Sequence, residues 1–299
     1  MELWIPITIA AAFSQNLRFM LQKHLRATGL TTGGATFARF LFAAPLACVV
    51  VLAILVTTGE AMPTLSTRFW VFASIGGLAQ ITATMLVVAL FTQRNFAVGV
   101  TFKKTETVQT ALVGLVVLGE GISGYGIFAI ALGLIGVLLV SDPPEGGQGW
   151  GRFFNRAAFM GLAAGALFGV SATGYRGASL SLGDAHFFLR AVTTLMCVTI
   201  FQSLVMAAWL RFREPGEITR VLGHWRVTAL VGLTGVIGSI GWFTAFTLQN
   251  AAYVKALGQV ELVFSFLASI FFFREAITGR ELWGTGFVVL SILVLVLAL

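Results

Sequence analysis

The sequence predicts an all-α integral membrane protein of ten transmembrane helices, arranged as two inverted five-helix repeats. Three observations predict it: a charge-poor apolar composition, ten apolar runs of spanning length, and a match of the chain to itself at a constant offset. Of 299 residues, 58% are hydrophobic and 10% charged, with mean hydropathy +0.93; soluble domains carry about 25% charged residues. A spanning helix takes ~20 residues, so ten spans use roughly 200 and leave only short connections. That arithmetic excludes a pump with its own ATPase domain, a receptor with a large ectodomain and a water-soluble enzyme. The runs are also too long and too evenly apolar for the alternation of an outer-membrane barrel.

The spans are expected at residues 3–21, 33–56, 69–92, 96–118, 121–140, 157–175, 185–210, 227–248, 251–273 and 282–299, separated by charged or turn-rich joints. The N-terminal MELWIPITIAAAF has an acidic residue where a signal peptide wants basic ones, and its apolar run continues past signal length, so it is expected to be the first span. The one linker-like joint holds Pro143, Pro144 and the glycines from Gly146 to Gly151. It divides the chain into residues 1–142, a linker 143–156, and residues 157–299.

Sliding the second half over the first at an offset of 155 residues brings Trp70 onto Trp225, Asn95 onto Asn250, Glu106 onto Glu261 and Glu120 onto Glu275. From Trp70 to Leu139, 14 of 70 positions are identical without a gap, against roughly one in ten by chance for so biased a composition. Each half has an odd number of spans, so the second copy must enter the membrane in the opposite sense. Inverted repeats of this kind hold a substrate near the midplane, between the halves.

The stretch ETVQTALVGLVVLGEGISGYGIFAIALGLIGVLLV and its counterpart ELVFSFLASIFFFREAITGRELWGTGFVVLSILVLVL resemble the closing part of each repeat in the drug/metabolite transporter superfamily, EamA type. That family shows Glu-Pro in the fourth and ninth spans, Gly-Glu fourteen residues on, and a glycine-rich span after that. Glu106, Glu120, Glu261 and Glu275 stand at those positions. Thr107 and Leu262 replace the usual prolines, which removes the residue that would kink each helix, and Arg274 replaces the glycine before Glu275. As a whole the chain is similar to the bacterial aromatic amino-acid exporters of that superfamily. The resemblance implies outward transport of amino acids, aromatic and other neutral ones, and related metabolites, by alternating access through a cavity between the halves.

Charges inside spans carry the chemistry, because each costs at least ~2.5–3.5 kcal/mol at mid-bilayer and needs a reason to stay. The fourth span holds Lys103, Lys104 and Glu106, of which Lys103 and Glu106 share a helical face at i, i+3. Lys104 has no acid close in sequence. The ninth span holds Lys255, Gln259 and Glu261, and Gln259 is the repeat partner of Lys104. Two equivalent helices thus bring ammonium, amide and carboxylate groups to one depth, a set that matches a zwitterion's two charges. Glu106 and Glu261 serve either this contact or the bracing of neighbouring helices. Gln15, Asn16 and Arg18 give the first span a polar face that lipid does not satisfy. Tyr253 and Trp242, with Phe13 and Phe246, lie deep enough to line a pocket.

Other polar groups have structural readings. Glu120 and Glu275 are expected to cap the following helices. Arg39 and Arg190 are expected to snorkel to the interface, and His186, beside Asp184, to be an interfacial histidine. Trp4, Trp70, Trp225 and Trp283 fit an interfacial belt. Cys48 and Cys197 are isolated small side chains in apolar runs. The glycines of GLAAGALFG and GLTGVIGSIG are spaced for close helix contact. Only Pro6 and Pro45 lie within spans, so movement is expected to hinge at glycines.

The formal charge of +7 and pI near 10.1 reflect arginines in short joints, not a nucleic-acid partner. Lys23, Arg26, Arg94, Arg152, Arg156, Arg211, Arg213, Arg220, Arg226, Arg274 and Arg280 fall on one side; that side is expected to be cytoplasmic, which puts both termini in the periplasm of a bacterial inner membrane. No catalytic or metal-ligand spacing is present, so the chain is expected to be neither an enzyme nor a cofactor binder. The expected partners are an amino acid, the lipid bilayer and, for coupling, protons, with the protein a monomer. A channel, a scaffold and an intramembrane enzyme are the alternatives, and a channel would show a filter or repeated pore charges.

Overall fold

The computed structural model describes residues 2–27, 29–90, 102–140, 156–268 and 278–298. Among them the chain is helical throughout and contains no strand. Helix α1 spans Trp4–Ala27, α2 Thr32–Leu41, α3 Ala43–Thr58, α4 Thr67–Leu90, α5 Glu106–Leu118 and α6 Gly124–Val140. In the second half α7 spans Arg156–Leu180, α8 Phe187–Arg213, α9 Glu217–Gly223, α10 Trp225–Leu248, α11 Ala251–Gly258, α12 Val260–Ala268 and α13 Gly279–Ala298. The linker of Pro143, Pro144 and Gly146 to Gly151 lies outside the described residues, as do Arg94, Asn95, Arg152, Arg274 and Glu275.

Among the described residues six stretches are long and apolar enough to cross a membrane: α2 with α3, then α4, α7, α8, α10 and α13. The helices α5 and α6 are apolar but shorter. Outward faces carry bare aliphatic and aromatic groups, such as Val116, Phe159 and Leu297, as a surface solvated by lipid requires.

Local chemistry sets the breaks. Helix α2 stops at Phe42 and α3 resumes at Ala43, three residues before Pro45, whose ring crowds the Leu41 carbonyl and offers it no N–H. The break in this span therefore falls beside a proline. Gly119 ends α5 in the left-handed region at φ 69°, which a side chain would oppose.

Helices of the first half pack on helices of the second. Helix α4 lies along α7, α1 along α10, α6 along α13, α5 against α7 and α11, and α2 with α3 against α8. Small residues let the backbones meet: a Cβ on Gly136 would come within 2.7 Å of the Gly284 carbonyl, and one on Gly284 within 2.7 Å of the Gly136 carbonyl. Both glycine-rich stretches noted in the sequence serve such contacts. Gly165 and Gly169 face the start of α5, and Gly238 and Gly241 face Ala11 and Ser14 of α1.

One end of the bundle is tied by a carboxylate. The Thr31 hydroxyl caps the Gly34 N–H at 2.9 Å, and the Thr31 N–H donates to Glu217 Oε1 at 2.6 Å. Arg220 holds the other Glu217 oxygen at 2.9 Å, and Glu214 accepts from the Thr31 hydroxyl. Burial works to raise the Glu217 carboxyl, but the Thr31 and Arg220 donors outweigh it and hold the group below the usual carboxylate range. The connection between α8 and α10 is thereby fastened to the start of α2.

Candidate functional site

Two interrupted helices build the site. Before α5 the chain makes a short helical turn at Phe102 and Lys103, then a turn at Lys104 and Thr105. Thr105 donates to the Phe102 carbonyl with both its N–H, at 3.2 Å, and its hydroxyl, at 2.7 Å. Between α11 and α12 the helix is interrupted at Gln259, whose N–H goes to the Ala256 carbonyl at 3.2 Å. The interruptions fall at equivalent places, Lys104 being the repeat partner of Gln259. Neither contains proline; an i→i−3 hydrogen bond tightens the chain at each. Glu106 and Glu261 consequently stand in the first turns of the resumed helices, where the helix dipole favours a carboxylate.

The carboxylates are answered from opposite halves. Lys104 ion-pairs with Glu261 and Lys255 with Glu106, while Lys103 approaches Glu106 at 3.1 Å. Gln15 of α1 reaches Glu261 at 3.5 Å. Gln259 donates to Thr107 at 3.0 Å, and its buried Oε1 accepts nothing. The Lys255 ammonium also lies 4.9 Å from the Trp242 ring, 5.6 Å from Phe246 and 5.8 Å from Phe168, distances at which an aromatic face attracts a cation. Phe168 serves Lys103 as well, at 5.2 Å. The Trp242 indole N–H is buried and has no acceptor.

These groups line two linked cavities. One, bounded by Gln15, Lys103, Lys104, Glu106, Trp242, Lys255, Gln259 and Glu261, has an internal volume of about 30 Å³. The next shares Gln15, Trp242 and Lys255, adds Arg39, Gln80, Tyr175 and Phe243, and is also about 30 Å³. A water needs roughly 10–15 Å³, so each has room for a water or two and is smaller than an organic solute. A roomier cleft of about 370 Å³ between α1, α8 and α10 is lined by Ile7, Phe188, Ile237 and similar apolar groups, and offers a solute no charge.

Of the residues singled out from sequence, Gln15, Trp242, Lys104, Glu106, Lys255, Gln259 and Glu261 come together here. Arg18 is buried, as the polar face of the first span implied. Asn16 is half-buried on the same helix. Tyr253 turns elsewhere: its hydroxyl accepts the Ser123 N–H at 2.8 Å, at the start of α6.

Three readings are corrected. Arg39 does not snorkel; it is buried, donates to Thr84 at 3.3 Å and faces the cavity, because α4, α8 and α10 cover its helix. Glu120 caps no helix; Arg176 takes it at 2.6 Å and also donates to the Phe246 and Gln249 carbonyls, while Ser123 caps the next helix. Trp4 is buried, not interfacial. Of the two places open to Phe13, a pocket wall or the outer face, it takes the outer one, exposed and edge-on to Phe264. Arg190 stays near its helix end and donates to the Gly183 carbonyl at 3.3 Å, and the exposed His186 caps α8.

Two uncharged cavity groups, Gln80 and Tyr175, and the buried Gln202 beside them went unnoticed in the sequence. Tyr175 donates to Gln80 at 2.9 Å, and Gln202 donates to Gln80 at 2.9 Å and to the Gly77 carbonyl at 3.1 Å. Glutamines in mid-span were the available signal.

No curated protein matches the sequence. A crystal structure with 15% identity superposes on 99% of this chain and 96% of its own at a TM-score of 0.66; at that identity the likeness establishes the fold alone. Residues 155–297 match the EamA-like transporter family. The second half of this multi-pass membrane protein is thus similar to the EamA-like transporter family.

Proposed function

We propose that the protein is a secondary transporter of the bacterial inner membrane that exports amino acids, neutral and aromatic ones included, and related metabolites. Its ten spans form two inverted repeats, residues 1–142 and 157–299 joined by 143–156, that alternate access to the cavity between them. The observation that carries this reading is the crossed pair of ion pairs, Lys104 with Glu261 and Lys255 with Glu106. Each joins one half to the other at a helix interruption, so each must open when the halves part. A zwitterion entering there exchanges one ion pair for two, carboxylate to lysine and ammonium to glutamate. The packing supports the repeat: first span on eighth and third on sixth exchange under a twofold axis, and fifth on tenth maps onto itself.

Counterflow into liposomes tests it. Purified protein without ATP is expected to exchange labelled amino acids saturably, with mutual competition, and comparison at two pH values shows whether protons couple. Uptake equal to that of protein-free vesicles across an amino-acid panel would remove the proposal. Both termini are placed in the periplasm, so a C-terminal fluorescent fusion that lights in the cytoplasm contradicts that orientation.

A further inference from the structure

The charges of the central cavity do not balance. Leaving Arg18 aside, the described residues bring four cations to it, Arg39, Lys103, Lys104 and Lys255, against the carboxylates Glu106 and Glu261. The lysines occupy both carboxylates, and Arg39 has none. Arg39 is 6% exposed, and its guanidinium makes one hydrogen bond, at 3.3 Å to the neutral Thr84, and lies 5.3 Å from the Phe40 ring. A guanidinium carries five donors, so most of the Arg39 donors are unspent, and they border the cavity beside Gln80 and Tyr175. Arg18 adds to the same field, since both arginine stems lie within 3.6 Å of where a Cβ on Gly235 would be. The opposite wall is aromatic, with Trp242, Phe243 and Phe246.

We propose that Arg39 is an anion-binding residue and that the favoured cargo is an organic anion with an aromatic or other flat apolar body: a carboxylate that brings no ammonium to cancel it, such as an N-acylated aromatic amino acid. The proposal rests on the reading that the central cavity carries the cargo, and names the favoured members of that class. A buried cation without a carboxylate is a standing cost in a membrane interior. A carboxylate relieves it and takes the bidentate geometry that arginine presents. A zwitterion is already served by the lysine and glutamate pairs and leaves Arg39 as it was, whereas an anion uses the excess charge. Moving a net charge also makes transport respond to membrane voltage.

Proteoliposome counterflow with L-phenylalanine, N-acetyl-L-phenylalanine and L-phenylalanine amide separates anion, zwitterion and cation on one aromatic body. The anion is expected to be preferred over the zwitterion by about ten-fold, the worth of one charge-assisted hydrogen bond, and the amide to be poorest. Net uptake of the anion into vesicles without internal substrate, which moves charge as one-for-one exchange does not, is expected to rise when a potassium gradient with valinomycin makes the lumen positive. Arg39→Gln is expected to lower the ratio of anion to zwitterion flux by a similar factor, and Arg39→Lys to keep much of it; a bracing role would depress both fluxes in proportion. Equal wild-type flux of anion and zwitterion, or an Arg39→Gln ratio equal to wild type, overturns the proposal. If Arg39→Gln does not fold, the wild-type ratio and its voltage dependence decide. Saturable zwitterion flux with no anion preference defeats this inference alone, whereas no flux of any compound defeats the transporter reading with it.

Discussion

Lys255 ion-pairs with Glu106 across the two halves of the bundle, on a carboxylate that Lys103 already approaches at 3.1 Å from one turn earlier. One acid therefore serves two ammonium groups that come from different parts of the chain.

Glu106→Gln strands both lysines, and breaking a buried pair costs about 3–5 kcal/mol. Thermal unfolding in detergent is expected to show a large loss of Tm for Glu106→Gln and a smaller one for Lys103→Gln, in which Lys255 still answers the carboxylate. Adding Lys255→Met to Glu106→Gln is expected to restore part of the loss. Equal effects of Glu106→Gln and Lys103→Gln would show that Lys255 contributes nothing to holding Glu106.

The meeting of α6 and α13 makes a second prediction. Gly136→Ala places a methyl 2.7 Å from the Gly284 carbonyl and 2.8 Å from the Val288 nitrogen, backbone atoms that yield only if the helices separate. A loss of about 1–3 kcal/mol is expected. Gly286, on the same helix, has open space around it, so Gly286→Ala is expected to hold or raise Tm. The pair of variants, measured in one detergent, separates packing from helix propensity.

The third concerns pH. The Glu217 carboxyl is held below its usual range in the folded protein, against the pull of burial, by the Thr31 N–H and Arg220. Its contribution is fully present above the value it has unfolded, and is lost as pH falls from there through the lower folded value. Stability of the wild type is therefore expected to decline on acidification through the carboxylate range. Glu217→Gln starts lower, by about 1.5–3 kcal/mol for a charge-assisted hydrogen bond, and shows a shallower decline. Parallel pH profiles for the two proteins would remove Glu217 from this role.

The fourth concerns selectivity. If a substrate carboxylate displaces Glu261 from Lys104 and Glu106 from Lys255, Lys104→Gln and Lys255→Gln are expected to discriminate less between an amino acid and its carboxyl-blocked ester. The loss is expected to be about 1.5–3 kcal/mol in relative binding. Competition by amino acid and ester in the counterflow assay measures it, and unchanged selectivity in both variants returns the lysines to bracing.

The long apolar runs were legible because lipid permits little besides helix at that length. Glu106 and Glu261 were legible because charge is scarce in the spans, and the repeat offset placed Lys104 opposite Gln259. The crossed pairing was not. Lys104 finds its acid 157 residues away, and no local spacing encodes which half-helix faces which. The interruptions at Lys104 and Gln259 were hidden for a different reason: they depend on i→i−3 hydrogen bonds that many sequences allow, with no proline to announce them. Arg39 looked like an interfacial arginine because it stands only two turns into its helix. Its burial comes from α4, α8 and α10 closing over it, a tertiary fact. Gln80 and Gln202 were passed over because an uncharged amide in a span draws less notice than a lysine, although lipid leaves it equally unsatisfied.

The 157 residues between Lys104 and Glu261 also separate them in time. At a synthesis rate of about 5–20 residues per second, roughly 8–30 seconds pass between the two. Throughout that interval Lys104 has been made while the acid that neutralises it does not yet exist. The same holds for Gly136, which waits for Gly284, and for α4, which waits for α7. The first half is therefore a partly charged intermediate that the insertion machinery must shelter, and a ribosome stalled near residue 150 is expected to leave it open to degradation by membrane proteases.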